Sequence, residues 1–398
     1  MSGEGARRAI VLVADACGVG ALPDAADYGD QGTNTLAHLA EAVDGLHLPT
    51  MQRLGLGSIL PLRGVPPAPH PAIHGRLHPL GPGKDSIGGH WELMGVVQER
   101  AMPTYSDGFP AEVIERLVRA MGHEVICNRP DNGLAAIEEY GAEHLGSGAL
   151  ILYTSQDSVL QLAGHVDRVP LAELHRACAA ARECMSGEHA VGRVIARPFR
   201  GEPGAFERTE GRRDFALAPP ARSYLQELQE AGLEVHGVGK VGDLFSGVGI
   251  THGHPGASNR QALDSVEGLL QEIEGGLVFA NLIETDQLYG HRKDVVGFDG
   301  ALREIDRRVG GMLERLREGD LLILTADHGV DPTHPGTDHT REYAPLLAVT
   351  GRMLLGGANH GSWGGFRHDG PLADVGASAL YWLTGEKGQD LPGEPFIS

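Results

Sequence analysis

Cysteine is scarce in this chain. Four residues in 398, Cys17, Cys127, Cys178 and Cys184, include no CxxC pair. That excludes a disulfide framework and a thiolate zinc cluster, and it fits a reducing compartment. Basic residues are also in deficit, with 33 Lys and Arg against 53 Asp and Glu and a formal charge of −20. Such a balance argues against nucleic acid or an anionic membrane as a partner. Aromatic residues make up only 5% of the chain, so a buried core has to be built mainly from Val, Leu, Ile and Ala. No stretch approaches the roughly 18 apolar residues needed to cross a membrane. The opening MSGEGARR has no signal-peptide pattern, because Asp15 interrupts the apolar run that follows it. A cytoplasmic protein is expected.

What is present points to a large α/β enzyme. Hydrophobic content of 41% supports a sizeable core, and the 58 glycines are dispersed as tight strand-to-helix loops require. Strand-like runs alternate with helical spacing, the signature of a mostly parallel sheet flanked by helices. Strands are predicted at 10–15, 277–283, 321–325 and 344–349. Helices are predicted at 35–43, from Ser86 through Leu93, and at 262–273, 301–316 and 372–383. The pattern shortens between 102 and 218, where strand candidates at 149–153 and 192–195 flank a helix at 171–185. Proline brackets this stretch at Pro103, Pro110 and Pro219-Pro220. It reads as a smaller α+β cap domain, 102–218, inserted into a core formed by 1–101 and 219–398.

Acids and imidazoles follow the apolar runs. Asp15 ends AIVLVAD, Asp286 and His291 follow LVFANLI, Asp327 and His328 end LLILTADH, and His339 comes shortly after. Between the first two groups, GKDSIGGHWE carries a hydroxyl at Ser86. In a parallel sheet, sites are built at the carboxyl ends of the strands. An isolated Asp beside a His is usually a surface or structural pair, but a solvated face would not place its acids after buried strands. Carboxylate and imidazole donors suit Mn2+ or Zn2+ better than Mg2+. Two such ions beside a hydroxyl imply metal-assisted transfer of an anionic group, most plausibly phosphoryl. The acidic chain would repel a phosphorylated substrate, so any phosphate site has to be locally positive. Arg193, Arg197, Arg208, Arg212 and Arg213 cluster in the insert. The spaced His70, His74 and His78 lack acids or Cys beside them and read as structural; His360 and His368 are read the same way, in a Gly-rich stretch, 356–370, that could line a substrate entrance.

The strings GKDSIGGHWE, YTSQDSVLQLA, VGRVIARPF, TADHGVDPTHPGTDHTREYAP and DACGVGALPDA together resemble the metal-dependent phosphopentomutases, within the alkaline-phosphatase superfamily. The similarity runs from about 8 to 383. It implies an alkaline-phosphatase-like core with an inserted cap, and interconversion of ribose (or deoxyribose) 1-phosphate and 5-phosphate. It also implies two Mn2+ ions, a phosphorylated hydroxyl and a sugar bisphosphate as activator. By motif, Asp286, His291 and His339 would hold one ion and Asp15, Asp327 and His328 the other. Ser86 would carry the phosphate, with Asp157, Arg193, Arg208 and Lys240 contacting substrate. Two departures stand out. The family's usual threonine is Ser86 here, and Glu284 stands where a second aspartate is usual, on the same face as Asp286 if the strand continues. The rival readings are a mutase for a related or modified sugar phosphate, a metal-dependent phosphatase or phosphodiesterase on the same core, and a metal-binding protein without catalysis.

Overall fold

The computed structural model describes residues 6–155, 157–360 and 363–397, the side chains of 357–360 excepted. The chain forms two compact units, Met1–Arg100 with Pro219–Ser398, and Ala101–Ala218.

The first unit is built on an eight-stranded sheet. Its order is His252–His254, Val235–Val238, Gly276–Leu282, Arg8–Ala14, Asp320–Thr325, Ala344–Thr350, Ile73–His78 and Gly370–Pro371. Pairing is parallel across the first five strands. Ala344–Thr350 runs antiparallel to both of its neighbours. Arg8–Ala14, Gly276–Leu282 and Asp320–Thr325 are buried along their whole length, as strands covered on both faces must be. Their β-branched and aliphatic side chains stand off the pleat with little rotamer entropy to lose. Burying each large one contributes about 1.5–3 kcal/mol. At the amino end of the central strand, fully buried Arg8 grips Asp320 through two bonds of 2.8 and 2.6 Å. This pair pins the sheet at the edge opposite the acids.

At the carboxyl end, parallel register brings Val13 level with Asn281 and Thr325. Asp15, Asp286 and Asp327 therefore leave the sheet side by side. The helix Ser86–Leu93 starts at the same edge, capped by Asp85, whose carboxylate accepts the Gly88 N–H at 3.0 Å. Gly89 allows this helix to lie directly against the strand end, because a Cβ there would fall 2.5 Å from the Asp327 carbonyl oxygen.

The second unit carries a sheet ordered Val125–Pro130, Leu150–Thr154, Val159–His165, Arg193–Arg200 and Glu207–Arg208, with Arg213–Ala216 also paired to Arg193–Arg200. Helices Ala111–Met121 and Leu171–Cys184 bury Val113, Leu117, Leu174 and Cys178 against Leu152, Leu162 and Val194 on one face. Helix Gly133–Ser147 sets Ala136 and Ile137 against Ile151, Ala163 and Phe199 on the other.

Candidate functional site

Asp15 stands one residue past its strand, where the chain turns sharply. The next residue, Ala16, has φ of +63°, a left-handed conformation that costs a residue with a Cβ on the order of 1 kcal/mol. Its N–H donates to Asp327 Oδ1 at 3.1 Å, so the strained turn is tied to the second acid. The Asp15 carbonyl accepts from Thr285 Oγ1 at 2.6 Å. Thr285 opens a π-helical turn, Thr285–Gly290, a geometry that recurs at functional sites. That turn holds Asp286 near its start and delivers His291 just past its end.

Glu284 is a correction. The strand ends at Leu282, so the alternation that would put Glu284 on the Asp286 face stops before it applies. Glu284 is half-exposed and its backbone N–H is held by Asn259 Oδ1 at 3.0 Å.

The six acids and imidazoles meet. Asp286 Oδ1 lies 3.3 Å from Nε2 of both His291 and His339. His328 Nε2 lies 3.4 Å from Asp15 Oδ1 and 3.3 Å from Asp327 Oδ2. Two overlapping groups have ligand atoms within 4.8 Å of one another, Asp286 with His291 and His339, and Asp15 with Asp286 and His328. Ser86 joins the second, its Oγ 3.0 Å from His328 Nε2. The imidazoles are fixed from behind. His328 Nδ1 meets the Gly329 carbonyl at 3.1 Å and His291 Nδ1 meets the Thr337 carbonyl at 2.6 Å. Both therefore turn Nε2 toward the carboxylates, the arrangement that prepares histidine for a cation.

The electrostatics describe a site built for positive charge. Burial, then the charges of Asp327 and Asp286, push the Asp15 carboxyl well above the usual range. Burial acts the same way on Asp286, but the hydrogen bond and charge of His339 and the charge of His291 outweigh it and hold that carboxyl well below the usual range. Asp327 is likewise held down to about 2, burial being overcome by His328 and His90. Burial also lowers His328, which favours the neutral, ligating form. Asp15 Oδ1, Asp286 Oδ1 and Asp327 Oδ2 are all buried, and imidazole nitrogens face them at 3.0–3.4 Å. Three buried carboxylates gathered this closely would cost several kcal/mol unless a cation balanced their charge. The donor set fits divalent ions.

The comparisons with known proteins agree. The metalloenzyme superfamily model matches residues 7–386. A phosphopentomutase of Caldanaerobacter subterraneus subsp. tengcongensis is 48% identical over 351 residues, 88% of this chain and 89% of that protein. The chain belongs to the phosphopentomutase family. A phosphopentomutase of Desulfitobacterium hafniense is 45% identical over 96% of this chain and 97% of that protein. The solved structure of the PH0037 protein from Pyrococcus horikoshii superposes with a TM-score of 0.50 at 14% identity, covering 97% of this chain and all of that one. It shows the fold alone. As a phosphopentomutase-family member of the metalloenzyme superfamily with a mixed α/β core, the protein is an isomerase of the phosphotransferase kind that uses divalent metal.

The remaining expected residues fall in two places. In the first unit, Lys240 follows the strand Val235–Val238, and its Nζ donates to Gln287 Oε1 at 2.8 Å beside Asp286. In the second unit, Asp157 sits in the turn before Val159–His165. Arg193 opens its strand, with Nη1 3.7 Å from Asp214 Oδ2. Arg208 lies opposite Phe199, six residues along the same strand, so about 20 Å of strand separates the levels of the two arginines. They do not form a single fork. Between them, Arg197 donates to Gln161 Oε1 at 3.0 Å, and Arg212 makes a two-bond pair with Asp214 at 2.8 Å. The stretch is a basic sheet face, not one clamp.

Sequence reasoning missed two residues of the first unit. Fully buried His90 has Nδ1 at 3.0 Å from Asp327 Oδ2 and at 2.8 Å from the Ser86 carbonyl. Asn281 Nδ2 lies 3.0 Å from Asp15 Oδ2 and 2.9 Å from His90 Nε2. An amide nitrogen only donates, so His90 Nε2 accepts and its proton resides on Nδ1, facing Asp327. One imidazole and one amide thus tie both acids to the turn that carries Ser86. Asn281 could have been found as the polar residue inside the apolar run LVFANLI, and His90 within GHWE. The spaced histidines read as structural behave so where they are described. His74 Nδ1 meets the Ala72 carbonyl at 2.9 Å, and His368 Nε2 meets Asp374 at 2.7 Å. The side chain of His360 lies outside the described residues.

Proposed function

We propose that the protein is a phosphopentomutase that interconverts ribose (or deoxyribose) 1-phosphate and 5-phosphate through a phosphorylated Ser86 and a pentose bisphosphate. The observation that carries this reading is the position of Ser86 Oγ, 3.0 Å from His328 Nε2, in a buried cluster that gathers the Asp15, Asp286 and Asp327 carboxylates. Asp286, His291 and His339 are assigned to one cation, and Asp15, Asp327 and His328 to the other. Manganese is favoured over zinc by the family resemblance. When bound, such ions supply positive charge to the phosphoryl oxygens and favour the serine alkoxide.

The chain's own residues do the rest. Ser86 sits on the first turn of a helix, whose N-terminal dipole favours negative charge at that point. From phosphorylated Ser86, the phosphoryl group passes to the free hydroxyl of the pentose phosphate. The P–O bond to Ser86 breaks and a bisphosphate forms. The phosphate at the other end then returns to Ser86 Oγ, releasing the isomer. Asp157, Arg193, Arg208 and Lys240 are assigned to the sugar phosphate, guanidinium groups being suited to two phosphate oxygens at once. A sugar bisphosphate serves as activator by phosphorylating Ser86. A cytoplasmic location fits the scarce, free cysteines; among the described residues no helix is long and apolar enough to cross a membrane.

The test is the product. Purified protein with Mn2+, ribose 1-phosphate and a trace of bisphosphate should yield ribose 5-phosphate, followed by phosphorus NMR. Free phosphate as the main product would replace this reading with a phosphatase. Arg193→Ala should raise the share of free phosphate, because water competes better when the sugar phosphate is held less firmly.

A further inference from the structure

Three histidines and a glutamate meet at the edge of the first unit's sheet, away from the acids described above. His252–His254 is the edge strand, paired in parallel with Val235–Val238 so that His252 lies level with His236 and His254 with Val238. Residues level across a parallel pair share a face, and side chains alternate with period two. Glu234, His236, His252 and His254 therefore all project on one side.

The contacts follow from that register. His236 is 5% exposed and its Nε2 is buried without a hydrogen bond. That nitrogen lies 3.4 Å from Glu234 Oε2, while Glu234 Oε1 lies 3.4 Å from His252 Nε2. The rings of His236 and His252 stack with centroids 4.9 Å apart. On the far side of the ring, His236 Nδ1 and His254 Nε2 are 3.0 Å apart.

We infer that this edge is a peripheral site for a divalent cation of the zinc class, held by His236 Nε2, His252 Nε2 and the Glu234 carboxylate. Donor atoms bound at about 2.0–2.2 Å to one tetrahedral ion lie about 3.3–3.5 Å apart. Glu234 Oε2 has that spacing to His236 and Oε1 has it to His252, and the trio, not yet all within 4.8 Å of one another, closes when the exposed side chains turn. His254 supplies what a ligating histidine needs behind it. His236 Nδ1–H donates to His254 Nε2, which fixes the tautomer and leaves the Nε2 lone pair facing Glu234. His252 and Glu234 have side chains 47% and 59% exposed, so their torsions are free to close the set around an ion. Two imidazoles and a carboxylate prefer Zn2+ and its neighbours to Mg2+ or Ca2+. The ion would staple a three-residue edge strand to the sheet. Short edge strands otherwise gain little from their own hydrogen bonds.

The experiment counts metal. Protein preloaded with Mn2+ is dialysed against Zn2+, and total Mn plus Zn per chain is measured by mass spectrometry for wild type and for the variant Glu234→Gln/His252→Ala. Both substitutions are at exposed side chains, outside the residues assigned to catalysis. Wild type should hold one more divalent ion per chain than the variant, with isomerase activity equal in the two. A second reading comes from imidazole NMR of the wild type, in which the His236 and His252 side-chain resonances should shift on adding Zn2+. Equal metal counts, or Zn2+ uptake that leaves those two resonances unmoved, would overturn the inference.

Discussion

Ser86 Oγ lies 3.0 Å from Nε2 of His328, the imidazole that also approaches Asp15 and Asp327. The nucleophile and the ligand set are thus one cluster. Ser86→Ala removes a single oxygen from a half-buried helix start, so the fold should persist. Turnover should fall by at least about a thousandfold, as losses of a nucleophile do. Ser86→Thr should keep substantial activity, because the added methyl restricts the rotamer without removing the hydroxyl. Steady-state rates for the two variants check this; an active Ser86→Ala would remove Ser86 from the chemistry.

Asn281→Ala and His90→Ala each cut the ties that hold Asp15 and Asp327 from behind. Outer-shell losses of this kind typically weaken metal affinity or activity about 10–100-fold. Mn2+ titrations should show weakened binding at one of two sites, with near-normal rates restored at high Mn2+. Rates that stay low at saturating metal would mean that the two residues act otherwise.

Asp15 is raised by burial and by its acidic neighbours, so the metal-free fold holds its proton above the pH at which the unfolded chain releases it. For that carboxyl the sign is clear. Stability of the metal-free protein declines as pH rises from the ordinary carboxylate range through the raised value. Asp286 and Asp327 have lowered values, and their contribution is lost only as pH falls below the ordinary range. A cation replaces the Asp15 proton, so metal-induced stabilisation should grow as pH rises above the ordinary carboxylate range. Melting temperatures with Mn2+ and with chelator, compared across that rise, check it. An increment that is flat or shrinks with pH would contradict the assignment of Asp15.

Much of this arrangement can be read from residues alone, for a physical reason. Asp15 and Asp327 follow uninterrupted apolar runs, and a buried parallel strand has few other ways to appear in sequence. The helix from Ser86 begins at a good cap, Asp85. What could not be read lies where local pattern is silent. The strand Val235–Val238 and the edge strand His252–His254 are short and broken by glycine and histidine, and Ile73–His78 carries two histidines of its own. Glu284 was misplaced because a change from strand to π-helical turn leaves no periodic trace. The spread of Arg193 and Arg208 along one strand follows from pairing with Glu207–Arg208, a two-residue strand too short to show a pattern.

The central claim is that Ser86 carries the phosphoryl group between the two ends of the sugar. Its most direct measurement is intact-mass analysis of the Mn2+-loaded protein after incubation with a pentose bisphosphate, followed by peptide mapping. The account predicts one added phosphate per chain, on the peptide containing Ser86, and its disappearance when excess ribose 1-phosphate is added. A phosphate on another residue, or one that does not transfer to the sugar phosphate, would contradict it.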